Sequence, residues 1–425
     1  MKSLTDTLRS RNMLHDLIPG TPQLLQTTPT SAYIGIDPTA SSLHIGHLTT
    51  LMLLKHLQLA GHKPIIVLGG ATAMIGDPSF KSQERKLLDK HTVEYNQHAI
   101  QKQIDHLFPQ QGNNAIQVLN NHTWYATHDF LSFLRDVGKH ITMNYMLAKE
   151  AIKNRLQTGI SYTEFTYPLL QAYDFYHLYQ HHGVRLQIGG SDQWGNITTG
   201  TEFIRKKIGK QAFGFTTPLV TKADGTKFGK TEKGNIWLDA QLTTPYEFYQ
   251  FWLNCSDQET PNLMKKLTLL DLATIQNLVE SHQQAPAKRL LQKQLAQTMT
   301  TMVHSHQSYL QAKLASEILF SPHAIDPNSL AAPDFLIALQ DLPKLRIPQN
   351  QITENTSLVD LLCTLTQGKI FTSKRAAREM IQAGGVRINK IQIKNPATIP
   401  HHLWLWEKYM LIQKGKKNYF LIQAI

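Results

Sequence analysis

Strand, helix and strand follow one another without interruption between residues 31 and 68, and few folds accept that order. Residues 31–37 (SAYIGID) form a short apolar run that stops at Pro38. Residues 44–60 place Leu48, Leu51, Met52 and Leu54 at helical spacing and stop at Gly61. Residues 64–68 (PIIVL) are a continuous apolar run closed by Gly69-Gly70, the pattern of a strand covered on both faces. Two parallel strands joined by a helix make a right-handed crossover, so the first half reads as α/β, a doubly wound parallel sheet. Residues 115–119 and 184–188 supply further strands. Ligands on such sheets lie beyond the carboxyl ends of the strands. Those ends carry Asp37-Pro38-Thr39-Ala40, Gly69-Gly70-Ala71-Thr72 and Gly189-Gly190-Ser191-Asp192, all small, polar or acidic.

The texture changes near Thr243. Residues 245–320 are rich in Leu, Gln, Lys and His at helical spacing, and residues 322–348 hold five of the nineteen prolines, the density of a linker, in which Phe335-Leu336-Ile337 suits a short helix. Domain expectations are therefore 1–240 for the sheet, 241–325 helical, 326–352 linker and 353–425 a compact basic module. The whole chain carries a net charge of +12, and residues 355–425 alone hold eleven Lys or Arg against three acids. Charge concentrated in this way points to nucleic acid better than an overall excess does. Two cysteines, Cys255 and Cys363, build neither a disulfide framework nor a structural zinc site, which fits a reducing, cytoplasmic setting. No apolar stretch reaches the length of a membrane-spanning helix, and the first residues, with Asp6, Arg9, Arg11 and Asp16, resemble neither a signal core nor a transit peptide.

Three constellations carry chemistry. His44 and His47, three apart with Gly46 between them, open a helix whose first-turn N–H groups and dipole favour anions. They suit triphosphate oxygens; taken alone they also suit a capped helix with two surface imidazoles. Zinc is disfavoured, since no Glu or Cys stands nearby at ligand spacing. Second, residues 222–231 (KADGTKFGKT) nearly imitate a phosphate-binding P-loop, but Gly225 and Gly229 enclose three residues where four are needed. What remains is a glycine-bearing loop presenting Lys227 and Lys230, able to neutralise a departing pyrophosphate. Third, Tyr167, Gln171 and Asp174 stand at i, i+4 and i+7, on one face of any helix there. They suit a small polar ligand or an internal hydrogen-bonded network. No GxSxG, HExxH or strand-borne GxGxxG occurs.

Together these motifs resemble the class I aminoacyl-tRNA synthetases, and the finer text (YIGIDPTA, GGATAMIGDPS, YPLLQAYDF, LQIGGSDQWGNI, KFGKT) is similar to the bacterial-type tyrosyl-tRNA synthetase family. The resemblance implies a Rossmann-type catalytic domain followed by a helical domain and a small α+β RNA-binding domain. Tyr33 and Asp174 would meet the substrate phenol, Asp77, Tyr167 and Gln171 its ammonium group, and Gln193 its carboxylate. Gly35, Asp37, Thr39, Gly46, Gly190 and Asp192 would line the nucleotide site, with Asp192 on the ribose. His44, His47, Lys227, Lys230 and Thr231 would handle the phosphates of ATP, assisted by Mg2+. The partners implied are tRNA(Tyr), L-tyrosine and ATP, in a homodimer joined through the catalytic domain.

Residues 372–389 also resemble a small RNA-binding module shared with a ribosomal small-subunit protein. There Ser373 caps a helix that exposes Lys374, Arg375 and Arg378, suited to RNA phosphates more than to base reading. Two rivals stay open: a tryptophan-specific relative with the same fold, and an RNA-binding scaffold that has lost catalysis. Tyr33 with Asp174 favours tyrosine over the first. The intact His44, His47, Lys227, Lys230, Asp77 and Asp192 favour an enzyme over the second.

Overall fold

The computed structural model describes residues 3–79, 87–108, 112–156, 159–221, 228–231, 234–320, 323, 325, 330–353, 356–395, 401–416 and 418–425 of the 425-residue chain. It divides into two compact units, Met1–Thr243 with Phe251–His304, and Thr244–Gln250 with Ser305–Ile425.

In the first unit β1 (Ser31–Ile36), β2 (Lys63–Leu68), β3 (Gln117–Asn120), β4 (Val184–Gly190) and β5 (Phe213–Thr217) form one sheet in the order β3-β2-β1-β4-β5. Every pairing in it is parallel. The chain winds outward from β1 to β3 and then restarts on the other side of β1, so the order reverses between β1 and β4. The crevice at that reversal is where such a sheet takes its ligand. Ala32, Tyr33 and Ile34 are buried in succession, as are Leu186 to Gly190, because helices cover both faces. The connecting helix Ile45–Leu59 buries Leu48, Leu51, Met52 and Leu54 as their spacing demands, and Leu53 and Leu57 besides. The helices Tyr162–His182 and Trp194–Ile208 lie against each other and against β4. The first ends at Gly183, whose backbone is left-handed (φ 63°), the usual helix stop. A short antiparallel ribbon follows the sheet, β6 (Lys230–Thr231) with β7 (Gly234–Asn235).

The region expected to be helical is helical. Thr260–Leu267, Leu272–Gln284 and Leu290–Val303 belong to the first unit. Arg11 fastens the first of them, donating to the carbonyl oxygens of Lys265 and Thr268 at 3.0 Å each. The helix His306–Phe320 belongs to the second unit.

The second unit is built on β8 (Lys344–Ile347), β9 (Val386–Ile388), β10 (Ile391–Gln392), β11 (Tyr409–Lys414) and β12 (Asn418–Ala424), in the order β10-β9-β11-β12-β8. Only the β12–β8 pairing is parallel. Within the segment expected as linker, 326–352, the suggested short helix is Ala332–Ala338, and the edge strand β8 was not anticipated. Its described prolines stand at the ends of these elements. Pro333 occupies the first turn of the helix, where no N–H is needed, and Pro343 and Pro348 flank β8. Among the described residues no helix is long and apolar enough to cross a membrane.

Candidate active site

At the carboxyl end of the sheet, the Tyr33 ring from β1 packs on Phe175 with centroids 5.3 Å apart. Its Oη is buried and finds no hydrogen-bond partner among the described residues. Burial, with Asp174 nearby, pushes the phenol well above its ordinary pKa. Asp174, 4% exposed, accepts from Trp124 Nε1 at 2.8 Å and from Asn121 Nδ2 at 3.1 Å. Burial raises its pKa to about 7, against the lowering effect of those donors. A buried donor without an acceptor is costly, and a polar ligand group seated beside Tyr33 Oη would relieve it.

The helix Tyr162–His182 does place Tyr167, Gln171 and Asp174 on one face, despite Pro168 within it. Each of the three belongs to an internal hydrogen-bonded network. Tyr167 Oη and Thr72 Oγ1 donate to the two oxygens of Asp37, each at 2.7 Å. Asn121 Nδ2 donates to Thr72 Oγ1 at 3.0 Å, so an unbroken line of polar groups joins Asp37 to Asp174. A second line lies beside it. Gln193 Nε2 donates to Asp77 Oδ2 at 2.8 Å, Gln171 Nε2 to Gln193 Oε1 at 3.3 Å, and Asn196 Nδ2 to Gln171 Oε1 at 3.0 Å. Thr72, Asn121, Trp124 and Asn196 were not anticipated. Asn121 and Trp124 follow directly on β3, so the rule that picked out the ends of β1, β2 and β4 would have found them if applied to β3.

His44 and His47 form the capped helix that their spacing also allowed. His44 Nδ1 accepts from the Gly46 N–H at 3.1 Å, and His47 Nδ1 accepts from the His44 N–H at 3.1 Å. The imidazoles thus close a reciprocal cap on their own helix, their rings 4.0 Å apart. A Cβ on Gly46 would meet the His44 ring at 2.8 Å, so a side chain there would disturb the cap. Burial and the neighbouring His44 lower the His47 pKa to about 3, so that ring is neutral at physiological pH and acts as a hydrogen-bonding group.

The strand leaving the β6–β7 ribbon docks on this helix entrance. Ile45 N–H donates to the Ile236 carbonyl at 3.1 Å and Leu238 N–H to the Leu43 carbonyl at 2.8 Å, with Trp237 beside His44. Gly229 is held against Ile45 with φ 87°, a backbone that a side chain would strain. Lys227 lies outside the described residues. Lys230 and Thr231 are placed as β6 by their backbone. Around the crevice Gly35 is exposed with no atom within 4 Å of a Cβ position, and Thr39 is exposed. Asp192 sits on the short turn Ser191–Gln193 after Gly190. A Cβ on Gly190 would press on Asp192 Oδ1 at 2.6 Å.

In the second unit Ser373 Oγ accepts from the Ala376 N–H at 3.2 Å and so caps the helix Lys374–Gln382, which buries Ala377 and Ile381. Lys374, Arg375 and Arg378 are exposed. Two of them already have carboxylate partners: Lys374 Nζ meets Asp360 at 2.6 Å and Arg375 Nε meets Glu379 at 2.8 Å.

This geometry sets a buried, unpartnered hydroxyl near a buried carboxylate, with a network of amides and carboxylates along the same helix face. Comparison with known proteins agrees. Residues 25–321 match the family described as tRNA synthetases class I (W and Y), and residues 335–422 match the tyrosine–tRNA ligase SYY-like C-terminal domain. The chain is 53% identical over 421 residues to the tyrosine–tRNA ligase of Amoebophilus asiaticus (strain 5a2), covering 98% of each chain. It is 51% identical over 425 residues to that of Cytophaga hutchinsonii, covering 100% of each. Among solved structures, the C-terminally truncated mitochondrial tyrosyl-tRNA synthetase of Aspergillus nidulans superposes with a TM-score of 0.68 at 29% identity, over 75% of this chain and 95% of that one. The chain belongs to the class I tRNA synthetases, among the tyrosine–tRNA ligases.

Proposed function

We propose that the chain activates L-tyrosine with ATP and passes the tyrosyl group to the terminal adenosine of tRNA(Tyr). The observation that carries this is the unpartnered buried Tyr33 Oη beside Asp174. A tyrosine phenol would meet both, and a ligand without the hydroxyl leaves Tyr33 Oη unsatisfied. Tyrosyl-tRNA synthetases are themselves the usual illustration of selectivity by that means. Asp77, Tyr167 and Gln171 then surround the ammonium group, and Gln193 lies toward the carboxylate.

In the first step a carboxylate oxygen of tyrosine attacks the α-phosphorus of ATP. The bond to the bridging oxygen breaks and pyrophosphate leaves. Because the substrate supplies the nucleophile, the protein's work is positioning and charge stabilisation. Gly35, Asp37, Thr39, Gly46, Gly190 and Asp192 hold the nucleotide. Lys227 and Lys230 supply positive charge to the pyrophosphate. His44 and His47, their Nδ1 atoms engaged in the cap, would offer the opposite edge of each ring, with Thr231 assisting. Mg2+ enters as the counter-ion of ATP, part of the substrate. In the second step a ribose hydroxyl of tRNA attacks the activated carbonyl and AMP departs. Lys374, Arg375 and Arg378 meet RNA phosphates in this reading.

A homodimer in the cytoplasm completes the proposal. Phe130, Leu131, Met143, Leu156 and Tyr162 are each half or more exposed (66%, 73%, 60%, 50% and 66%) and all lie between β3 and β4. Exposed apolar side chains in that number suit a partner surface. Sedimentation of the full chain as a monomer at micromolar concentration would remove this part.

The test of the activity is exchange of pyrophosphate into ATP by the full chain with magnesium and no tRNA, comparing tyrosine, tryptophan and phenylalanine. Exchange with tyrosine alone is expected. Exchange driven by tryptophan, or by none of the three, overturns the substrate or the chemistry respectively.

A further inference from the structure

The helix on which the RNA reading rests has much of its positive charge already occupied, since Asp360 and Glu379 take Lys374 and Arg375. Another basic surface of the second unit lacks such partners. A groove of about 450 Å³ runs between the edge strand β8 and the turn after residues Asp360–Leu365, lined by Lys344, Arg346, Thr366, Gln367 and Lys369. Lys344, Arg346 and Lys369 are all exposed, and none of them forms an ion pair among the described residues. Asp341 is within electrostatic reach of Lys344 but makes no ion pair with it.

Alternation along β8 explains the arrangement. Leu345 and Ile347 point into the core, so Lys344 and Arg346 share the outer face. Two residues along a strand span about 6.6 Å, on the order of the separation between successive phosphates of one nucleic-acid strand. The backbone N–H groups of the opposite wall are spent: Gln367, Gly368 and Lys369 donate to the carbonyls of Thr364, Cys363 and Thr366. Binding there would rest on side-chain charge, which reads phosphate and not base. Basic residues on an edge strand also deter strand-to-strand association, a role that would leave the groove indifferent to RNA.

We propose that this groove is a second RNA-backbone contact site, in which Lys344, Arg346 and Lys369 hold phosphates at the far end of the segment Asp360–Leu365, whose first residue pairs with Lys374. The inference rests on the tRNA-ligase reading above.

The test measures binding of tRNA(Tyr) to the full chain across a series of salt concentrations, for a groove variant (Lys344→Gln, Arg346→Gln, Lys369→Gln) and a helix variant (Lys374→Gln, Arg375→Gln, Arg378→Gln). Three lost phosphate contacts should make the slope of log affinity against log salt shallower by about 2 to 3, at roughly 0.7–0.9 per contact. The groove variant should show that loss, with weaker binding to an unrelated RNA duplex as well. A Lys344→Arg, Lys369→Arg variant, which keeps the charge, should restore the slope. An unchanged slope in the groove variant beside a loss in the helix variant overturns the proposal and spares the RNA reading. Unchanged binding in both variants overturns the RNA reading itself. All six side chains are exposed, and circular dichroism with thermal melting shows that each variant is folded.

Discussion

Asp174 is a carboxyl group that the fold holds half-neutral. Its pKa of about 7 comes first from burial and is restrained by the Asn121 and Trp124 hydrogen bonds. The folded chain therefore binds this proton more tightly than the unfolded chain, whose aspartate titrates near 3.8. With the folded pKa raised, stability falls as pH climbs between those two values. An Asp174→Asn variant should lose that part of the slope when melting is followed across the window; an identical slope would show that Asp174 titrates normally. Substrate binding runs the other way, because the ionised carboxylate is the better acceptor for a phenol. The KM for tyrosine in pyrophosphate exchange should fall about tenfold from about pH 6 to about pH 8, and Asp174→Asn should flatten the change. Single residues of this kind were half legible in the sequence. Spacing placed Asp174 with Tyr167 and Gln171, but a carboxylate's pKa is set by neighbours brought from β3, and no local pattern announces that Asn121 and Trp124 will meet it.

The helix Tyr162–His182 carries three of the expected site residues, Tyr167, Gln171 and Asp174, so its seating matters more than that of any other element. One anchor is buried charge: Arg155 Nη2 donates to Glu164 Oε2 at 2.8 Å, with the side chains 5% and 0% exposed. Glu164 also lies in the first turn of that helix, where a negative charge is favoured. Removing one partner of such a pair strands the other, so Arg155→Met should cost about 3–5 kcal/mol in denaturant unfolding. A double Arg155→Met, Glu164→Leu variant should recover much of it. If the single variant is as stable as the parent, the pair is not an anchor. Elements of this size were the most legible part of the chain. β1, β2, β4 and the helix between the first two follow from apolar runs and their stops. β5 did not, because five residues with Gly214 among them give too little periodicity to separate a strand from a loop. The prolines of 326–352 misled for a related reason, since proline marks the ends of elements as readily as the gaps between domains.

At the scale of the whole molecule the division between units matters more than the division expected from composition. A cut after Ile352 would leave β8 without β12, its parallel partner along Leu421 to Ala424. A cut after His304 follows the boundary of the first unit. The chain ending at His304 should keep tyrosine-dependent pyrophosphate exchange and lose tRNA charging by a factor of at least about 100, some 2.7 kcal/mol of RNA contact. The chain ending at Ile352 should be less soluble and melt lower than either. Equal charging by the His304 product would refute the division of labour. The docking of residues 236–238 on the segment that opens the His44 helix has a consequence for descent as well as for chemistry. Two stretches almost two hundred positions apart in the chain share one backbone ladder, so a recombination event that imported either without the other would join mismatched halves. The two stretches are therefore expected to exchange as a unit, and grafts of residues 227–238 between relatives should carry residues 43–47 with them.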